Sequence, residues 1–217
     1  MAAGDLMMGV YLLIIASVDL NYRGVYGAYD SLWRASGLCR FAGFLSTYSS
    51  EISVVTLVVI TLDRFVSIIF PFRTSRLGMR EARLVMAALW TAVLVLAALP
   101  LSEVDYFRNF YGRSGVCLAL HITPAKPSGW EYSVFVFLAL NFVLFLVIFV
   151  SYLWMFVVAK RTHSAARSTQ MKNDRAMARR MTLIVMADFF CWFPIILLGV
   201  ASLNGATIPP QVSGQTL

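Results

Sequence analysis

The chain has 217 residues, of which 59% are hydrophobic and 13% charged, with a formal net charge of +7 and a mean hydropathy of +0.75. A soluble domain usually carries about 25% charged residues, so this composition favours a polytopic membrane protein over a soluble helical protein with a large core. No basic stripe interleaved with aromatic residues accompanies the positive charge, which argues against a nucleic-acid-binding surface.

Five apolar blocks follow one another along the chain and predict an all-α membrane protein. A transmembrane helix needs about 20 mostly apolar residues, and the last three blocks reach that length. The first block spans a membrane only if it extends back to Met1, so it looks cut at its start. A cleaved signal peptide is the alternative, but Asp5 lies where such a peptide has a basic residue. Helices are expected at about residues 1–18, 38–66, 82–101, 131–159 and 174–203.

Basic residues are concentrated in two alternate connecting segments. Residues 63–83 hold five Lys or Arg and residues 159–180 hold seven, which together make 12 of the 18. The positive-inside rule therefore assigns these two segments to the cytoplasm. The second predicted helix then runs inward from Cys39 to the pair Asp63-Arg64, and the 24 residue steps from Cys39 to Asp63 cover roughly 36 Å at about 1.5 Å per residue.

Two of the three cysteines fall on the outer side of the membrane under this topology. That side is oxidising, so Cys39 and Cys117 are expected to form a disulfide, with two free thiols as the alternative. Closing a loop of about 78 residues would contribute roughly 4–5 kcal/mol in the chain-entropy model. Cys191 falls in the middle of the last apolar block and is expected to stay reduced.

Three carboxylates lie inside or at the edge of apolar blocks, namely Asp5, Glu51 and Asp188. A carboxylate at the centre of a membrane helix costs about 2.5–3.5 kcal/mol on insertion scales, so such residues usually face the bundle interior and find partners. They are therefore candidates for a functional role. Simple interhelical hydrogen bonding is the alternative.

The last apolar block combines an acid, an aromatic residue and a proline. Asp188 and Trp192 are four residues apart and share a helix face, and Pro194 predicts a kink where the helix can swing. Ordinary packing is the alternative role of Trp192. Asp174 is the only acid among seven basic residues between 160 and 180. It is either an ion-pair partner of Arg64 or an exposed acid in the first turn of a helix.

Signatures of enzymes are absent from the sequence. The two histidines, His121 and His163, fall on opposite sides of the predicted membrane. The sequence holds no recognisable metal-binding cluster, nucleophile and base pair, or glycine loop for phosphates. We therefore predict a protein that is not an enzyme and that needs no cofactor or metal.

A set of residues spread along the chain occurs in a characteristic order and spacing, namely Cys39, Asp63-Arg64-Phe65, Pro71, Trp90, Pro100, Cys117, Tyr152 and Cys191-Trp192-Phe193-Pro194. In these motifs the chain resembles a rhodopsin-like (class A) G-protein-coupled receptor. Through residues 19–24 and 101–121 it is similar to the leucine-rich-repeat branch of that family and to its relaxin-receptor-like group. Asp188 and Leu144 are also typical of that group, whereas most of the family has phenylalanine and proline there.

The resemblance implies a fold and a set of partners. The fold is a partial seven-transmembrane bundle with five of the helices, two to six, in the plasma membrane. The expected partners are membrane lipid, a heterotrimeric G protein and a peptide hormone of the relaxin or insulin-like type. The hormone would bind through an ectodomain that this chain lacks. The Cys39–Cys117 disulfide would anchor the loop that covers the outer end of the bundle.

The resemblance also implies roles for individual residues at the cytoplasmic end. Arg64 would hold the inactive state through Asp63 and Asp174, and it would meet Tyr152 in the active state. Phe72 would insert into the surface of the G protein.

Further roles are implied within the membrane. Trp192 and Pro194, together with Asp188, would form the activation switch that lets helix six swing outward. Asp5 and Ser53 match two positions of the family's sodium pocket.

The chain also departs from the family. Phe65 replaces the usual tyrosine, and there is no first helix, no seventh helix and no ectodomain. We therefore expect a receptor fragment that does not signal alone. The alternative is a truncated receptor that associates with a full-length receptor and modulates it. A transporter or membrane enzyme would predict an inverted repeat or convergent catalytic groups, and neither is present.

Overall fold

The computed structural model describes residues 2–70, 78–102, 104–119 and 127–161, and single positions of a helix between 183 and 201. These residues form helices and short turns, with no strand among them. Four of the described helices are long and apolar enough to cross a membrane. An all-α membrane protein is therefore confirmed.

The first two helices lie in the 35 residues at the start of the chain. Helix α1 runs from Ala2 to Tyr22, four residues past its predicted end. In its last turn, the amide Nδ2 of Asn21 donates to the carbonyl of Ser17, one turn earlier, at 2.9 Å. A short helix, α2, follows at Tyr26–Ala35. It was not predicted, because ten residues of mixed polarity carry no membrane signal.

Helix α3, at Gly37–Ile69, is the central helix of the bundle. It contacts α1, α2 and two later helices, and a larger share of its most apolar stretch is buried than in any other described span. The hydroxyl of Ser36 accepts a hydrogen bond from the backbone N–H of Cys39 at 3.2 Å and caps its start. The helix ends one residue before Phe70, which precedes a proline and has a non-helical backbone.

Helix α4 spans Met79–Ala98 and starts three residues earlier than predicted. The reason is its cap, in which the Glu81 carboxylate accepts a hydrogen bond from the Gly78 N–H at 3.1 Å. A 3₁₀ turn at Leu99–Leu101 extends its outer end. The segment 104–119, here called the outer lid, follows with two further 3₁₀ turns at Asp105–Phe107 and Tyr111–Arg113.

The next membrane helix, α5, is one continuous helix built of three segments. It begins with an α-helical turn at Trp130–Ser133, continues as a π-helix at Val134–Leu140, and ends as an α-helix at Asn141–Arg161. Helix α5 packs against α3. Between 183 and 201 the described positions are also helical, and they are Leu183, Met186, Phe190, Phe193, Pro194, Leu197 and Ala201.

Candidate signalling site

A disulfide ties the outer lid to the first turn of α3. It joins Cys39 to Cys117, with 5.4 Å between the two Cα atoms, and both residues are completely buried. The predicted disulfide is therefore confirmed. The lid is fixed at the outer end of the same helix that carries Arg64 at its inner end.

Two aromatic side chains hold adjacent carbonyls of the outer lid. The hydroxyl of Tyr11, on α1, donates to the carbonyl of Val116 at 2.8 Å. The indole Nε1 of Trp33, on α2, donates to the carbonyl of Gly115 at 2.7 Å. Both aromatic residues belong to the buried cluster that contains the disulfide. Residues of helices α1, α2 and α3 are thus all bonded to the same short stretch of the outer lid, residues 115–117.

Tyr111 provides a second attachment of the outer lid. Its ring is buried, and its hydroxyl donates to the carbonyl of Ala97 at the end of α4, at 2.8 Å. Burial raises the pKa of this hydroxyl above its ordinary value, so Tyr111 stays protonated and keeps its donor. The ring lies against Gly43 of α3, where a Cβ atom would overlap it.

A buried polar pair joins α3 to α5 near the middle of α3. The amide Nδ2 of Asn141 donates to Oε1 of Glu51 at 2.8 Å, and both side chains are buried. Glu51 was predicted from the sequence as a candidate functional residue, but Asn141 was not. Asn141 is the only amide side chain in the uncharged block 134–158, and a search for neutral partners of Glu51 would have found it.

The inner end of α3 brings Arg64 near Tyr152 of α5. The Tyr152 hydroxyl lies beside the Thr61 side chain and within range of the Arg64 charge, at a geometry that falls short of a full hydrogen bond among the described residues. The Nε atom of Arg64 is buried without a partner in the described part of the chain. The described residues include no ion pair between Asp63 and Arg64. The assignment of these residues to an inactive-state lock stays a prediction.

The two predicted sodium-pocket residues lie on the facing helices α1 and α3. Asp5 is exposed, while Ser53 is half-buried. Contact between the helices is made by Gly4, whose Cβ position would fall against the Ser53 hydroxyl. Within the described residues no cluster of three or more His, Cys, Asp or Glu side chains could hold a metal ion. A role of Asp5 and Ser53 in sodium binding stays a prediction from the sequence.

Four predicted site residues lie outside the described residues: Phe72, Asp174, Asp188 and Trp192. Pro194 is described and belongs to the helix between 183 and 201, with an exposed side chain. The switch assigned to Asp188, Trp192 and Pro194 therefore stays a prediction from the sequence.

The architecture described so far is a bundle of apolar helices with a disulfide-tethered outer lid and an arginine at the inner end of the central helix. Residues 1–212 match the family described as 7 transmembrane receptor (rhodopsin family). The chain belongs to this family of receptors. The family and the four described spans make it a multi-pass protein of the plasma membrane.

Comparison with individual proteins shows which receptors of this family the chain is similar to. The chain is 62% identical over 212 residues to G-protein coupled receptor GRL101 of Lymnaea stagnalis, covering 98% of this chain and 19% of the relative. It is 37% identical over 218 residues to relaxin receptor 2 of Homo sapiens, covering 98% and 29%. Relaxin receptor 1 of Homo sapiens is 34% identical over 216 residues, with coverage of 98% and 28%. The chain thus spans less than a third of the length of these relatives.

Proposed function

We propose that this chain is the transmembrane core of a G-protein-coupled receptor of the relaxin-receptor type. A conformational change at the outer lid would be transmitted along α3 to a heterotrimeric G protein. The observation that carries the proposal is the span of α3, which has Cys39 and the tethered lid at one end and Arg64 beside Tyr152 at the other. Signal transfer would be conformational, and the chain itself would catalyse no reaction.

The inner end would act as the coupling site. In the proposed inactive state Arg64 pairs with Asp63 and with Asp174, and in the active state it meets Tyr152 and the G protein. Two buried polar atoms that lack a well-formed hydrogen bond within the described residues support this proposal, namely Nε of Arg64 and the hydroxyl of Tyr152, which lies beside Thr61. A buried polar group without a hydrogen bond costs about 1–3 kcal/mol, so a rearrangement that pairs these atoms would be favoured. Phe72 is proposed to contact the G protein directly.

The ligand is proposed to be a peptide hormone of the relaxin or insulin-like type. Relatives named as relaxin receptors support this class. We propose that the hormone is recognised mainly by parts of the receptor beyond these 217 residues, a proposal supported by the chain's 29% coverage of human relaxin receptor 2. Within the chain, Asp188, Trp192 and Pro194 are proposed to let the helix predicted at about residues 174–203 swing outward. Asp5 and Ser53 are proposed to contribute to a sodium site.

A chimaeric receptor tests the proposal. The residues of human relaxin receptor 2 that match this chain are replaced by the 217 residues, and relaxin-family peptide is added to cells that express the product. We expect hormone-dependent G-protein activation, which Arg64→Ala abolishes. Arg80→Ala, an exposed cytoplasmic arginine at the start of α4, is the matched control and should leave activation intact. A chimaera that reaches the surface and binds hormone but activates no G protein would overturn the proposal.

A second candidate function is modulation of a full-length receptor by this chain. The observation that favours it is the exposure of apolar residues on α1, which include Leu6, Leu12 and Leu13. Such a face is able to pack against a helix of a partner receptor within the membrane. Co-expression with a full-length relative, followed by pull-down and counting of surface receptor, tests this function. An unchanged number of surface receptors would argue against it.

A further inference from the structure

The π segment Val134–Leu140 of α5 has no local cause. A π-helix bonds each N–H to the carbonyl five residues earlier, and it occurs mainly as short bulges inside α-helices, frequently at functional sites. Proline and glycine are the usual local reasons for an irregular helix. Residues 130–161 contain neither. A contact with another part of the bundle must therefore maintain the segment.

Asn141 supplies that contact. It is the first residue after the π segment, and its Nδ2 donates to the carbonyl of Val136 within the segment at 3.0 Å. The same nitrogen donates to Oε1 of Glu51 on α3 at 2.8 Å. The side chain of Asn141 therefore satisfies a backbone carbonyl of the π segment and is itself held by the neighbouring helix.

The pair has two unsatisfied atoms. Oε2 of Glu51 and Oδ1 of Asn141 are both buried and form no hydrogen bond in the described part of the chain. A carboxylate and an amide oxygen are both acceptors, so neither is able to satisfy the other while Glu51 is ionised. A proton on Oε2 supplies the one missing donor and leaves a neutral pair of an acid and an amide.

The surroundings of Glu51 do not favour its charge. Among the described residues no basic side chain forms an ion pair with Glu51. The titratable group that faces it from α5 is Tyr132, whose hydroxyl already donates to the carbonyl of Leu96 at 2.7 Å. A buried carboxylate with one neutral hydrogen-bond partner pays a large desolvation cost, which a bound proton removes.

We propose that Glu51 carries a bound proton in this structure, and that the neutral Glu51–Asn141 pair is the latch that keeps residues 134–140 in a π-helix. Breaking the pair allows the segment to become a regular α-helix. That change shifts the register of one half of α5 by one residue. The inner half then turns by about 100° and moves by about 1.5 Å relative to the outer half.

Infrared spectroscopy of the full 217-residue chain in lipid nanodiscs tests the proton. We expect the carbonyl band of a neutral carboxylic acid, sensitive to exchange of water for D₂O, which Glu51→Gln removes. Asp19→Asn, which alters an exposed acid near the end of α1, is the control and should leave the band in place. If Glu51→Gln removes no such band, Glu51 is ionised and the proposal is wrong.

Distances between spin labels test the latch in the same sample. One label is placed at Leu153 in the inner half of α5 and the other at Val85 of α4, both on exposed positions. Asn141→Leu is expected to change this distance by about 5 Å or more, because a side chain on a helix about 10 Å wide turns through about 100°. Glu51→Leu breaks the pair from the other helix and is expected to give the same change.

Two controls separate the latch from general damage to α5. Glu51→Gln keeps the shape of a neutral acid and should preserve the wild-type distance. Ser151→Ala removes a different side-chain bond in α5, from its hydroxyl to the carbonyl of Val147 at 2.7 Å, and should also preserve it. Wild-type distances in both Asn141→Leu and Glu51→Leu would overturn the latch.

Discussion

Trp33 donates its indole N–H to the carbonyl oxygen of Gly115 at 2.7 Å, across 82 residues of sequence. The bond joins the short helix α2 to the outer lid, next to the disulfide at Cys117. The indole is almost completely buried, so water does not replace this bond when it is lost. Helix α2 therefore acts as a support of the lid rather than as a free loop.

Trp33→Phe is expected to destabilise the outer end of the bundle. The change removes a hydrogen bond worth about 0.5–1.5 kcal/mol and leaves the Gly115 carbonyl without its partner. Thermal unfolding of the purified chain in detergent should show a lower midpoint. Tyr29→Phe, on the same helix but 44% exposed, is the control and should leave the midpoint unchanged. Equal midpoints for both variants would contradict the support role of α2.

Gly43→Ala is expected to disturb the contact between α3 and the outer lid. A Cβ atom at this position would overlap the Tyr111 ring and the carbonyl of Cys117, and the carbonyl is backbone that does not yield easily. Overpacking of this kind costs about 1–3 kcal/mol. Gly37→Ala is the matched control, because nothing lies within 4 Å of its Cβ position on the same helix. The melting midpoint should fall for Gly43→Ala alone.

Removal of the disulfide is expected to have a larger effect. Its loop spans 78 residues, for which the chain-entropy model gives about 4–5 kcal/mol. Cys117→Ala should therefore lower the melting midpoint markedly and reduce the amount of folded protein. Cys191→Ala, which removes the cysteine expected to be reduced, serves as the control. If reducing agent leaves the electrophoretic mobility of the wild-type chain unchanged, the disulfide is absent from the expressed protein.

Asp174→Ala is expected to raise basal signalling in the chimaeric receptor. The proposed lock pairs Asp174 with Arg64, so its loss should release Arg64 toward the active arrangement. Basal G-protein activation without hormone, normalised to surface receptor, is the measurement. Asp19→Ala removes an acid at the opposite end of the bundle and should leave the basal signal unchanged. A basal signal that Asp174→Ala does not alter would count against the lock.

Membrane spans were predictable from the sequence where hydrophobicity is continuous, and their ends were less predictable. Helix α4 starts at Met79 because Glu81 caps it, and that is a local signal that an apolar block does not contain. Helix α2 is too short and too mixed in polarity to be predicted as a membrane span. It is stabilised by Trp33, which packs against the outer lid. Its stability comes from tertiary contacts rather than from its own propensity.

The residues of the candidate site also differ in how well the sequence predicted them. Isolated charges and cysteines in apolar surroundings are costly or reactive, so Glu51, Arg64 and Cys39 stood out in the sequence. Asn141 did not stand out, because the free-energy cost of burying one neutral amide in an apolar helix is much smaller than that of burying a charge. Its importance appears only when α5 places it beside Glu51.

Sequence alone determined the class of the protein and singled out Cys39 and Arg64, which lie near opposite ends of the central helix. Both follow from the free-energy cost of placing charge in lipid. This cost applies to each residue separately, so it can be recognised from the sequence alone. The tertiary structure decided which carbonyls of the outer lid are held by Tyr11 and Trp33, and that α5 contains a π-helix. Such features depend on the distance and direction between groups far apart in sequence, and only the packed helices set those quantities.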